Sequence, residues 1–265
     1  MKAQEAPLIQ LGFRFGMNGP HASRTMMLEE LRTLFGHVGP QASRSDYETA
    51  IVADNILGKP STKARELTAR HMSVLYSFDT ANPIFRALRR LWPLNEAAQP
   101  LLALAVALAR DPLLRATQAF YLGLPVGTVV PREAVERLLE RTCPDRFSPA
   151  SLKSFAQNVA GTWTAAGLLD GRQKKTRTQP LAHPESVALL LFLGYLEGRT
   201  GQRLFSSNWT NLVGGSPGEL EALANSASHR GLLVFMNAGG VKEVRFPGFL
   251  SSEEDRIRQE VAHVV

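Results

Sequence analysis

The residues of this chain best suited to chemistry are cations grouped behind helix-start signals. In DNILGKPSTKARELTARHMSVLYSFD, residues 54 to 79, Gly58 and Pro60 separate two segments of helical pattern. Ser61 is placed to cap the second, whose outer side carries Lys63, Arg65 and Arg70. Lys153 follows the cap-plus-first-turn pair Ser148-Pro149 in the same way, and Arg172, Lys174, Lys175 and Arg177 put four cations into six residues with no acid. Lysine and arginine at such positions neutralise phosphate, and the unpaired amides of a helix N-terminus add to the attraction. These eight residues are therefore the candidate DNA contacts. The same arrangement also describes an ordinary solvated helix face.

A bond-breaking constellation is not legible. The GxxxxGK[ST] phosphate loop is absent, because Gly58-Lys59 lacks the upstream glycine, and HExxH does not occur. No acidic residue stands two positions before a lysine, the pair with which many nucleases organise a metal and a water. The six histidines are scattered, and the lone Cys143 excludes both an intrachain disulfide and a cysteine zinc cluster. Gly214-Gly215-Ser216-Pro217-Gly218 reads as a helix-capping loop. Trp92, Trp163 and Trp209 have the chemistry to stack on bases, but Trp163 lies on an apolar stripe and belongs to a core. The expectation is no catalytic residue, no metal and no cofactor.

A net charge of +6 and a pI near 9.8 favour polyanionic partners, and the charge is patchy. Seven Lys or Arg face two acids between Lys59 and Arg90, whereas five basic and seven acidic residues follow from Pro217 onward. The opening MKAQEAPLIQLGFRFG lacks the apolar run of an export signal. The stretches Leu101 to Ala109 and Val187 to Leu193 are too short to cross a bilayer and read as buried helices. With one cysteine, the chain suits the cytoplasm, without a membrane partner.

The elements that would position these side chains are mostly helical. The first 20 residues read as extended or short-strand structure ending at Gly16, Gly19 and Pro20. Helices are expected over 23–35, with Met27, Leu28, Leu31 and Leu34 inward and Gly36 as the stop, from a Ser45 cap to Leu57, and from Ser61 to Tyr76. In the last of these Ala64, Leu67, His71, Val74 and Leu75 form the apolar side, with His71 a packed histidine rather than a ligand. Further helices follow over Ile84–Trp92, Ala97–Ala109, Pro112–Leu122 and from Pro131 to Arg141. The helix from Ser148 to Gly167 turns Leu152, Phe155, Ala156, Val159 and Trp163 inward and leaves Lys153, Ser154, Gln157 and Asn158 outside. Helix, connector, capped helix and the Asp170-Gly171 turn suggest a winged-helix unit. The flank Arg172 to Gln179 lacks apolar alternation, so an exposed loop is the competing reading. Helices over 185–197 and from Pro217 to Ser228, a hairpin of Leu232–Met236 with Val241–Phe246, and a final helix from Ser252 complete the chain.

The stretches AIVADNILGKPSTKARELTARHMSVLYSFD, FRALRRLW, LLALAVALARDPLLRATQAFYL and SPASLKSFAQNVAGTWTAAGLL together resemble the BrxA family of BREX bacteriophage-exclusion systems. The likeness spans about residues 45 to 170 and lies in the order of diffuse features. It implies an all-helical, non-catalytic protein that binds double-stranded DNA beside a methyltransferase and other defence proteins. No family residue can be carried over as catalytic, and the resemblance assigns no role to the C-terminal hairpin and tail. The fold class expected is all-α: helix-turn-helix or winged-helix-like units in a helical bundle, with a small C-terminal β-hairpin. A helix-turn-helix-like domain is expected over 1–80 and a helical domain with the winged-helix-like segment over 81–265. The alternative function is a helical scaffold for partner proteins whose charge serves solubility.

Overall fold

The computed structural model describes residues 2–262. It opens with helix α1 (Lys2–Gln10), where extended chain was expected. That segment has almost no amphipathic period to read, and its helical state is supported from a distance, because it packs on the last helix, α14 (Ser252–Ala262). A single 3-10 turn, Pro20–Ala22, leads to α2 (Leu28–His37), α3 (Arg44–Val52) and α4 (Thr62–Tyr76). Gly36 lies inside α2 rather than stopping it. The cap of α3 is Ser43, not Ser45: its hydroxyl accepts from the Asp46 amide while the Asp46 carboxylate accepts from the Ser43 amide. The helix ends at Val52, five residues short of the expected Leu57.

Ser61 caps α4 by accepting from the Ala64 amide at 3.2 Å. The buried side of α4 is Thr68, Ala69, Met72, Leu75 and Tyr76, a face rotated from the one expected. Leu67, His71 and Val74 are half-buried at its margin. Phe35, Tyr47, Phe78, Phe85 and Trp92 join α2, α3, the turn after α4 and α5 (Pro83–Leu91) in one aromatic cluster, with Tyr47 stacked on Phe78 at 4.7 Å. Such pairs add about 0.5–1.5 kcal/mol each beyond area burial.

Two 3-10 turns precede α6 (Gln99–Arg110), the chain bends at Asp111-Pro112, and a turn at Ala116-Thr117 breaks the expected following helix into α7 (Pro112–Arg115) and α8 (Gln118–Leu122). Leu101 to Ala109 are at most 2% exposed, and Val187 to Leu193 of α11 (Pro184–Leu196) are fully buried, so both apolar stretches pack together as the centre of the core. Each fully buried Leu or Val contributes about 1.5–3 kcal/mol. Among the described residues no single helix is long and apolar enough to cross a membrane.

Between these two central helices the chain builds β1 (Val129–Val130), α9 (Arg132–Thr142), α10 (Pro149–Ala165), β2 (Leu169–Asp170) and β3 (Lys175–Arg177). The three strands pair antiparallel in the order β1-β3-β2, with Val129 opposite Thr176 and Asp170 opposite Thr176 on the other side. The remainder is α12 (Gln202–Phe205), a 3-10 turn, α13 (Pro217–His229), the hairpin β4 (Val234–Ala238) and β5 (Val241–Arg245), and α14. Ser216 and Glu219 form a capping box on α13, so the Gly214–Gly218 run caps a helix as expected. The molecule is mainly helical with minor sheet.

The boundary expected at residue 80 is crossed by packing. α4 lies on α6, the 3-10 turn at Pro20–Ala22 lies on α10, and Arg89 donates to Val38 O at 2.7 Å.

Candidate nucleic-acid interface

Strand, two helices and a hairpin in the order β1-α9-α10-β2-β3 form a winged-helix unit. Its second helix, α10, begins where the Ser148 hydroxyl accepts from the Ser151 amide at 3.2 Å, with Pro149 in the first turn. Phe155, Ala156, Val159 and Trp163 are buried as the periodicity requires; Trp163 donates to Thr117 Oγ1 at 3.1 Å and packs on Tyr121 at 4.8 Å. The opposite face exposes Ser151, Lys153, Ser154 and Gln157.

The wing turns at Gly171, whose φ is +94° and where a Cβ would lie 2.2 Å from the Lys174 carbonyl oxygen. Only glycine fits there. Arg172, Gln173 and Lys174 are exposed at the tip, and Lys175 is half-buried in β3. Among the described residues no carboxylate pairs with Lys153, Arg172, Lys174 or Lys175.

Arg177 corrects the expectation. It is 6% exposed, and its guanidinium donates to the carbonyls of Tyr121 at 3.0 Å and Leu168 at 3.2 Å, and to that of Thr178. Burial lowers its proton affinity. Its Nε and Nη1 donors hold the wing to the end of α8 and to the segment entering β2, so this buried guanidinium serves the fold rather than the exposed cationic surface. The sequence displays four cations within six residues, and the fourth is drawn inward by the Tyr121 and Leu168 carbonyls, which only folding brings beside it.

The cations between Lys59 and Arg90 are depleted in the same way. Lys59 pairs with Glu30 at 2.9 Å and Arg86 with Glu254; Arg89 donates to Val38 O at 2.7 Å, and Arg90 lies over Phe249. Arg65 is half-buried and donates to Val52 O at 2.7 Å and to Thr62 Oγ1 at 3.1 Å, which ties α4 to the end of α3. Lys63 and Arg70 are exposed and carry no such partner among the described residues. The sequence thus brings Lys153, Arg172, Lys174 and Lys175 to one unit and leaves Lys63 and Arg70 on α4.

A bridge links the two helices. His21 lies between Asp111 and Thr162 of α10, with Nδ1 at 2.8 Å from Asp111 Oδ2 and Nε2 at 2.9 Å from Thr162 Oγ1. Thr162 also accepts from the Met26 amide at 2.9 Å, and Tyr76 of α4 donates to Met26 O at 2.5 Å. Asp-His-Thr in hydrogen-bonded sequence has the connectivity of a nucleophile triad. All three side chains are wholly inaccessible, and Gly19 closes on Asp111 so tightly that a Cβ there would overlap the carboxylate. The trio therefore braces α10 against the segment 20–27. Burial pushes the Asp111 carboxyl up, but hydrogen bonds and charge from His21 and the amide of Leu114 outweigh it and hold the group below the usual carboxylate range. At the margin of α4, burial and then the charges of Arg24 and Arg70 lower the proton affinity of His71.

Sequence reasoning missed β1, which is two residues long, and Arg132 beside it at the start of α9. The Pro131-Arg132 pair was the available signal for the latter. Among the described residues no group of three His, Cys, Asp or Glu side chains is disposed to hold a metal.

A mainly helical chain carrying a winged helix whose Lys153, Arg172, Lys174 and Lys175 have no ion-pair partner among the described residues is the class that fold and site define. The sequence matches no family profile and no curated protein. Solved structures do match. An SspB crystal structure aligns over 97% of this chain and 100% of its own, with a TM-score of 0.57 at 11% identity. A magnesium ion-bound SspB crystal structure aligns over 97% and 99%, with a TM-score of 0.55 at 11% identity. At that identity the likeness establishes a shared fold over nearly the whole of both chains.

Proposed function

We propose that this protein is a non-enzymatic, double-stranded-DNA-binding component of a bacterial phage-defence system of BREX type. The observation that carries the reading is the set Lys153, Arg172, Lys174 and Lys175, four cations on one winged helix without a paired carboxylate. Unpaired cations on a rigid element are the footprint of phosphate binding. In this reading α10 lies against the major groove, and the wing follows the backbone beside it. Lys63 and Arg70 add a second, weaker phosphate contact from α4. The defence setting and the company of other defence proteins rest on the BrxA resemblance.

The test is a titration of labelled duplexes of unrelated sequence with the wild type and with a Lys153→Ala, Arg172→Gln, Lys174→Gln, Lys175→Gln variant. Affinity should fall at least about tenfold, and similarly for every duplex, because phosphate contacts position without specifying bases. Unaltered binding would remove the winged helix as the contact surface.

One feature favours a scaffold as the second reading. The outer side of the β4–β5 hairpin exposes Val234, Met236 and Val241, an apolar surface suited to a partner protein. A hairpin variant that loses partner capture while DNA binding is absent from the wild type would establish that role instead.

A further inference from the structure

Between α10 and the wing lies a recess of about 470 Å³, in the size range of small-molecule sites. Its floor is apolar, formed by Val130 of β1, Val135 of α9, Ala156 of α10 and Leu169 of β2. Its rim is polar and basic: the amides of Gln157 and Gln173 stand beside Arg172 and Lys175. Arg132 also lines it, but Glu136 at 2.7 Å and Glu133 at 3.0 Å balance that charge, so Arg172 and Lys175 supply the net potential. Among the described residues no carboxylate lines the recess. A simple phosphate subsite needs no apolar floor, and a lipophilic site needs no pair of cations. The combination fits a nucleotide: an apolar surface for the face of a base, amides for its hydrogen-bonding edge, cations for its phosphate.

We infer that this recess receives one unpaired nucleotide of the bound DNA, with the base on the Val130–Leu169 floor and its phosphate at Arg172 and Lys175. The inference rests on the DNA-binding reading and adds to it a preference for sites where a base is already unpaired. A paired base reaches the recess only after unpairing and unstacking, whereas a mismatched base has already lost part of its pairing.

The experiment compares a paired duplex, the same duplex with one central mismatch carrying 2-aminopurine, and the corresponding single strand, each titrated with the full-length protein. Wild type should bind the mismatched duplex at least about tenfold more tightly than the paired one, with a rise in 2-aminopurine fluorescence. Ala160→Leu, which adds bulk at the edge of the recess, should abolish the preference and leave paired-duplex affinity unchanged. Gln157→Ala adds no bulk and should lower the preference with the fold intact, which guards against a misfolded Leu variant. Equal affinity for paired and mismatched duplexes overturns the recess while DNA binding stands. Binding of the single strand alone, sensitive to Ala160→Leu, supports the recess and overturns duplex binding; no binding to any probe overturns both.

Discussion

At the residue scale, Arg177 and Arg172 show how the same side chain is put to opposite uses five positions apart. Arg177→Met removes the donors that satisfy two buried carbonyls and a partly buried third, and should lower stability by roughly 2–4 kcal/mol, seen as a lower thermal midpoint. Arg172→Gln should leave the midpoint unchanged. Asp111 gives a pH prediction. Its carboxyl is held below the ordinary value of about 4. A depressed folded-state pKa means that its contribution is fully present above the unfolded value and is lost as pH falls through the folded value. Urea midpoints at pH 7 and pH 3 should therefore differ less in Asp111→Asn than in the wild type, and an equal difference would mean that Asp111 is not a source of acid sensitivity. Neither role was legible in sequence, because both depend on carbonyl or imidazole partners brought together by folding, His21 being ninety positions from Asp111.

At the element scale, the local signals that were read correctly are those with a local cause. Ser61 and Ser148 cap the helices they precede, and α10 buries the side that its 3.6-residue period selects. The winged-helix order and its Asp170-Gly171 turn were legible, but the strands of the wing were not. Its strands are two or three residues long, too short to show alternation, and β3 is held by β1, which lies across two intervening helices in sequence. The face of α4 was misread for a related reason: Thr68 bonds its hydroxyl to Ala64 O and packs inward with Met72, so burial runs along a polar residue that a hydrophobic count skips. Gly171 tests the wing as an element. Gly171→Ala imposes a conformation costing about 1–3 kcal/mol and a clash with the Lys174 carbonyl, which the exposed turn can relieve by opening. DNA affinity should drop while the thermal midpoint moves little. A large fall in the midpoint would make the wing part of the core.

At the scale of the whole molecule, the mainly helical class followed from recurrent caps and 3.6-residue periods, and the centre formed by α6 and α11 from two uniformly apolar stretches. The charge distribution did not follow. The basic count over residues 59–90 suggested a strong surface, yet Lys59, Arg65, Arg86, Arg89 and Arg90 are engaged with carboxylates, carbonyls or aromatic rings. Counting cations overstates a surface whenever folding supplies partners. The division at residue 80 makes a further test: α4 buries its inner face on α6, so a fragment of residues 1–80 should show little cooperative unfolding by circular dichroism, whereas a sharp transition would establish an independent unit.

The central claim is that the winged helix holds duplex DNA through unpaired cations, and the salt dependence of affinity tests it most directly. Neutralising Z phosphates makes log K fall with log salt at a slope of about 0.9Z. Wild type should show a steep negative slope, and the variant lacking Lys153, Arg172, Lys174 and Lys175 a slope shallower by roughly three to four units if each cation neutralises one phosphate. Identical slopes for the two proteins, or a wild-type affinity indifferent to salt, would contradict the account.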